Sequence, residues 1–182
     1  MSLDEPLFEP IARYWRLSTG IKEIEKNNPI IVVDLGCGPK KRFYDFAKKR
    51  KVIFKKYIGI DQLINHTIKD TVSLSDNFAD YVVAFAFVEH IENPKKIMNE
   101  AIRIVKKGGK VIITTPSPRA KPLLELLAAL NLISHREISE HKQYFDKKSL
   151  INLIYPENKK KIGIFHHYFH PWQNNLLILK KK

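Results

Sequence analysis

Apolar residues along this chain follow two kinds of pattern. Three stretches are nearly uninterrupted: Ile30–Val33, Tyr81–Phe87 and Val111–Ile113. A continuous apolar run predicts a strand covered on both faces, as in a parallel sheet. Tyr57–Asp61 reads as a shorter strand ending in an acid. Between these runs, apolar positions recur at helical spacing. Leu7, Ile11, Tyr14 and Trp15, then Ile21 and Ile24, predict a helix from Glu5 to about Glu25, stopped by Asn27-Asn28-Pro29. Phe43, Phe46 and Ala47 mark the inner face of a second helix, Lys41 to about Lys51. A third starts at Asn93 or Pro94 and runs to about Lys106, closed by Lys107-Gly108-Gly109.

Elsewhere the pattern is weaker. Gln62 to Ser75 predicts only a short helix and a short third strand near Thr71 to Leu74. Lys110–Pro116 is the fifth strand. Leu123 to Ile133 is a helix apolar on nearly every side, so it must be covered on more than one face. A lid, a homodimer contact through 123–133 and a membrane-surface segment are all open readings. Asp146 or Ser149 caps the next helix, which reaches about Tyr155. Lys161–Phe169 and Asn175–Leu179 are separated by a short turn and predict a hairpin. The expected fold is α/β: a three-layer α/β/α sandwich with a mostly parallel seven-stranded sheet and an antiparallel last strand. A single domain over 1–182 accounts for the whole chain.

The chemistry-bearing stretch is Ile30-Ile31-Val32-Val33-Asp34-Leu35-Gly36-Cys37-Gly38. A buried strand ends in an acid, then two glycines mark a turn where backbone comes close to something. A nicotinamide-binding loop wants G-x-G-x-x-G, but the sequence continues Pro39-Lys40-Lys41, and Asp34 would face a pyrophosphate. Dehydrogenase chemistry is disfavoured on both counts. The stretch resembles instead the first strand and loop of the class I, Rossmann-like methyltransferases that use S-adenosylmethionine. That cofactor has no phosphate, and its amino group and sulfonium are cationic. The family usually carries a third glycine where Lys40 stands here. Two more segments strengthen the likeness: Phe87-Val88-Glu89-His90 after the fourth strand, and Gly108-Gly109 followed by the strand ending at Pro116.

The resemblance implies methyl transfer by in-line displacement from S-adenosylmethionine, leaving S-adenosylhomocysteine. It implies cofactor contacts from Asp34, Leu35, Gly36, Cys37 and Gly38, from Asp61 and Gln62 after the second strand, from Asp70 towards the adenine, and from Phe87 and His90. The leading segment 1–29 would cap the cofactor with Arg13, Tyr14 and Trp15. The segment 117–145 would be a substrate-side insertion covering the acceptor. His90 and His141 are the candidate catalytic residues, because a general base is needed only if the acceptor keeps its proton until attack. No Asn-Pro-Pro-Tyr-like segment follows the fourth strand, which argues against adenine or glutamine-amide methylation. A small-molecule acceptor is expected.

Composition changes this picture little. The single cysteine, Cys37, excludes an intrachain disulfide and a multi-cysteine zinc site. No metal-ligand set is assigned, and Cys37 reads as a small residue in a tight loop. No run reaches the roughly 18 residues of a membrane span, and the acidic N-terminus lacks a signal-peptide core, so a cytoplasmic protein is expected. Lys and Arg total 32 against 19 acids, a net charge of +13. That excess suits a lysine-rich surface. It also keeps an alternative in view: a basic nucleic-acid-binding module, or an RNA methyltransferase with a degenerate cofactor site.

Overall fold

A computed structural model describes residues 6–61, 73–139, 141–170 and 173–182. In chain order the elements are α1 (Glu9–Gly20), β1 (Ile30–Leu35), α2 (Arg42–Lys49), β2 (Phe54–Ile60), β3 (Ala79–Phe85), α3 (Pro94–Ile104) and β4 (Val105–Pro116). Then follow α4 (Lys121–Ala129), α5 (His135–Ser139), α6 (Lys147–Asn152), α7 (Pro156–Lys159), β5 (Ile162–Phe169) and β6 (Asn174–Lys181). The strands form one sheet in the order β2-β1-β3-β4-β6-β5. β1 pairs in parallel with β2 and β3, and β3 with β4; β6 runs antiparallel to both its neighbours. The mostly parallel sheet with its antiparallel final strand is therefore as the pattern predicts.

Alternation along the strands divides the interior into two cores. Val32, Val83, Ile112, Leu176 and Ile178 pack under Leu17 of α1 and Phe43 and Ala47 of α2. Val33, Val82, Val111, Ile113, Leu177 and Leu179 face the other way, against Ile97, Met98 and Ala101 of α3 and Leu150 of α6. Helices thus cover both sheet faces, which makes the three layers. Asn99, buried in α3, ties that layer together. Its amide donates to the Lys95 and Leu153 carbonyls, and its oxygen accepts from the Tyr155 backbone N–H and from Asn158. Caps act where expected: Asn93 accepts from the Lys96 N–H, and Asp146 and Ser149 form a reciprocal capping box.

Boundaries differ from the sequence reading in several places. β3 ends at Phe85 instead of Phe87, because Ala86 turns the chain at a φ of 49°. The sheet has six strands among the described residues instead of seven. The third strand was expected near Thr71 to Leu74; positions 71 and 72 lie outside the described residues, and Ser73 and Leu74 are in no strand. Next, α3 stops at Ile104 and β4 begins at once. Val105 pairs with Ala79 and Lys110 with Tyr81, so Lys106–Gly109 bulges out between the two pairings. Gly109 lies so close to Asp80 that an added Cβ would stand 2.5 Å from its carbonyl oxygen. Finally, α4 ends at Ala129, and Asn131 turns the chain at a φ of 55°. Leu126 and Leu130 stay 57% and 58% exposed, so this chain alone does not cover every face of that segment. Among the described residues, no helix is long and apolar enough to cross a membrane.

Candidate active site

Ligands of open α/β sheets bind beyond the carboxyl ends of the strands. Here β1, β2, β3 and β4 end side by side, and a cavity of about 910 Å³ lies at those ends. Its floor is the loop after β1. Gly36 has φ +74°, and its N–H donates to the Ile60 carbonyl at 2.8 Å. A Cβ there would stand 2.2 Å from the Phe87 ring, so the ring lies directly on the loop. Gly38 has φ +63°, and a Cβ there would meet nothing within 4 Å. Its N–H donates to Asp61 Oδ2 at 3.0 Å. Gly36, Cys37, Gly38, Asp61, Phe87 and His90 all line the cavity, as does the edge of Asp34. Leu35 instead turns into the core, 2% exposed. Gln62 and Asp70 lie outside the described residues. Lys40, in place of the third loop glycine, is exposed and away from the cavity.

Asp34 is the buried acid beneath this loop. It accepts a 2.6 Å hydrogen bond from the Tyr57 hydroxyl. Burial lifts its carboxyl to about 7; the Tyr57 hydrogen bond opposes the lift, and the Asp61 charge adds to it. Burial is also the main reason the Cys37 thiol is pushed up to about 11, with the Asp34 and Asp61 charges adding to it. A thiol held protonated is a packing group here and not a nucleophile. Its sulfur presses on Gly59, where a Cβ would come within 2.7 Å of Sγ. Gly59 is thus part of the loop's support, although nothing in Tyr57-Ile58-Gly59-Ile60 singles it out beforehand.

The roof comes from distant parts of the chain. α1 contributes Arg13, Trp15 and Arg16, with Trp15 stacked on His170 at 4.1 Å between ring centroids. Tyr14, expected beside them, points away. Its hydroxyl accepts from Arg50, and its ring packs edge-on against Phe46. The segment 117–145 supplies another wall through Leu123, Leu124, Leu127, Ile133 and His141. Arg16, ion-paired to Glu9 at 3.2 Å, and His170 are cavity residues that the helical stripe and the hairpin turn did not reveal.

His90 and His141, the two catalytic candidates, meet at this wall with ring centroids 4.7 Å apart. The contact is held by one backbone and two side-chain links. The Lys142 N–H donates to the Glu89 carbonyl at 3.0 Å, Gln143 donates to the Ile91 carbonyl, and Lys142 pairs with Glu92 at 2.9 Å. His141 Nδ1 lies 3.1 Å from the Tyr144 hydroxyl. Burial, then the His90 and Arg16 charges, lower the His141 imidazole to about 4, so it is neutral at pH 7. Glu89 is the member that was passed over. It lines the cavity with only 1% of its surface exposed, and burial pushes its carboxyl upward.

Comparison with known proteins gives this arrangement a family. A family model described as a methyltransferase domain matches residues 8–154. Curated relatives include proteins named ubiquinone biosynthesis O-methyltransferase. The one from Vibrio atlanticus is 22% identical across 90% of this chain and 84% of its own length, and the one from Klebsiella pneumoniae 19% identical across 92% and 84%. Among solved structures, the methyltransferase chain in complex with the Trm112 activator of Haloferax volcanii superposes with a TM-score of 0.69. It is 13% identical and covers 93% of this chain and 91% of that one. An S-adenosylmethionine-dependent methyltransferase from Archaeoglobus fulgidus gives 0.61 at 17% identity, covering 93% and 92%. At these identities the structures speak for the fold, and the match over most of the length speaks for the family. The chain belongs to the methyltransferase domain family, the S-adenosylmethionine-dependent transferases of this Rossmann-like fold.

Proposed function

We propose that this chain binds S-adenosylmethionine over the Gly36–Gly38 loop and methylates a hydroxyl group of a small molecule. The observation that carries the reading is one continuous cavity. It joins the glycine loop and Asp61 at one end to the His90–His141 contact at the other. The residues fit the cofactor. Gly38 leaves its side of the loop open, and Asp61 directly follows β2, where ribose hydroxyls could donate to a carboxylate. When bound, S-adenosylmethionine supplies a methyl carbon already activated by its sulfonium.

The chain's own task is then to position and enclose. Holding the acceptor near attack geometry can supply about 7–11 kcal/mol of barrier lowering. Residues of the 1–29 segment, Arg13, Trp15 and Arg16, cap the cofactor end. The 117–145 segment covers the acceptor with its leucines, excluding water. His90 and His141 stand at the acceptor end of the cavity, where they would orient the acceptor's hydroxyl. A hydroxyl acceptor is supported by the curated relatives, whose names specify O-methylation. The test is an isotope-transfer assay with hydroxylated aromatic, amine and RNA acceptor panels. Turnover of hydroxyl compounds alone is expected. Transfer only to RNA, with steep salt dependence, would replace the small-molecule reading.

A further inference from the structure

We propose that Glu89, His90 and His141 form a binding site for one divalent transition-metal cation in the wall of the cavity. One ligand atom from each residue lies within 4.8 Å of the others. Some point is therefore no more than about 2.8 Å from all three, against roughly 2.0–2.2 Å for zinc bonds to imidazole nitrogen and carboxylate oxygen. Rotation of the side chains by less than an ångström closes that gap.

A second observation points the same way without reference to the cluster's geometry. Glu89 is 1% exposed, and its Oε2 has no hydrogen-bond partner at bonding distance, the neighbouring Thr115 hydroxyl being unpaired too. A buried carboxylate oxygen left unpaired carries a desolvation cost that a cation removes. Arg16, the nearby guanidinium, is engaged with Glu9 at 3.2 Å and acts on Glu89 only through its charge.

The frame is fixed before any ion arrives. Glu89 and His90 lie together in the short 3-10 turn Val88–His90, which follows β3. His141 is held beside them by the Lys142 N–H bond to the Glu89 carbonyl. Tyr144, at 3.1 Å from His141 Nδ1, fixes that ring's orientation as an outer partner commonly does for a ligating histidine. A tautomer that donates from Nδ1 to Tyr144 keeps Nε2 for the metal.

Two imidazoles and one carboxylate select metals of intermediate softness, such as zinc, cobalt or iron, over calcium and magnesium, which prefer all-oxygen shells. Three protein ligands leave coordination positions open, and all three residues line the cavity. The open positions suit a hydroxyl oxygen of the acceptor, whose pKa coordination would lower. This use of the metal rests on the methyltransferase reading above; the site itself does not.

The test separates the two. Protein stripped with a chelator is titrated with Zn²⁺ alone by calorimetry and with Co²⁺ by visible absorption, without cofactor or acceptor. One equivalent per chain is expected, with tetrahedral or five-coordinate cobalt bands. Glu89→Gln, nearly isosteric, and His141→Ala should each weaken binding at least tenfold while circular dichroism stays native. His166→Ala, away from the cavity, should change nothing. Equal affinity in Glu89→Gln and His141→Ala, or no saturable binding below millimolar metal, would overturn the site. Tight metal binding in a protein that transfers no methyl group to any hydroxyl would leave the site standing and remove only its proposed use.

Discussion

The backbone N–H of Gly38 donates to Asp61 Oδ2 at 3.0 Å, which locks the loop after β1 to the end of β2. Both residues face the same cavity, so one carboxylate shapes the loop and presents the acid that would meet a ribose. Removing it should act on cofactor affinity far more than on the fold. A hydrogen bond to a charged group is worth about 1.5–3 kcal/mol. At about 1.4 kcal/mol per tenfold, Asp61→Ala should weaken S-adenosylmethionine roughly 10- to 100-fold. Calorimetry on the folded variant reads this directly, and unchanged affinity would take Asp61 out of the site.

Gly36 and Gly38 share a positive φ but differ in what surrounds them. A methyl at Gly36 collides with the Phe87 ring, whereas one at Gly38 meets open space. The left-handed conformation alone costs a non-glycine residue about 1–2 kcal/mol. Overpacking adds about 1–3 kcal/mol. Gly36→Ala should therefore be the more destabilising substitution in urea unfolding, and Phe87→Ala should recover part of its loss in the double variant. Equal destabilisation by the two alanines would mean that Phe87 yields freely.

Much of this architecture was legible because buried parallel strands write themselves as unbroken apolar runs. Ile30–Val33 and Val111–Ile113 lie in central strands, and so does Tyr81–Phe85 of the third run, whose last two residues, Ala86 and Phe87, leave the sheet. Asp34, the two glycines and Asp61 were legible because the turn needs those residue types at that spacing. Other features depend on contacts that no local pattern carries. Lys106–Gly109 has the composition of a helix end, yet pairing of Val105 with Ala79 draws it into a strand bulge. Tyr14 shares the stripe of Trp15, but Phe46 on α2 and Arg50 just after it claim it. Glu89 and His141 meet only because the 141–144 segment hydrogen-bonds onto 89–91.

Asp34 and His141 should pull stability in opposite directions as pH changes. Asp34 is raised to about 7 in the folded state, so its contribution is complete at low pH and is lost as pH rises from about 4 to 7. His141 is lowered to about 4, so its contribution is complete above about 6.5 and is lost as pH falls towards 4. Between those limits the two slopes oppose each other. Asp34→Asn keeps an acceptor for Tyr57 and removes one slope. The stability of the variant relative to the parent should then rise with pH, by about 1.4 kcal/mol per unit from pH 4.5 to 6.5. A difference that stays level across this window, measured by urea unfolding, would show that Asp34 does not titrate there.

The acceptor wall should be separable from the cofactor floor. Leu124 and Leu127 line the cavity from α4, while the glycine loop and Asp61 belong to the sheet ends. These walls come from different parts of the chain, so filling one need not disturb the other. Leu124→Trp adds bulk on the acceptor side alone. It should lower kcat/KM for the identified acceptor at least tenfold and leave S-adenosylmethionine affinity within a few-fold. A smaller side chain, Leu127→Ala, enlarges the same wall and should shift preference towards bulkier acceptors; pocket changes of this size are worth about 1–3 kcal/mol in discrimination. Paired measurements of turnover and cofactor binding decide the matter. If both variants lose cofactor affinity in step with turnover, α4 supports the cofactor and the acceptor must enter elsewhere.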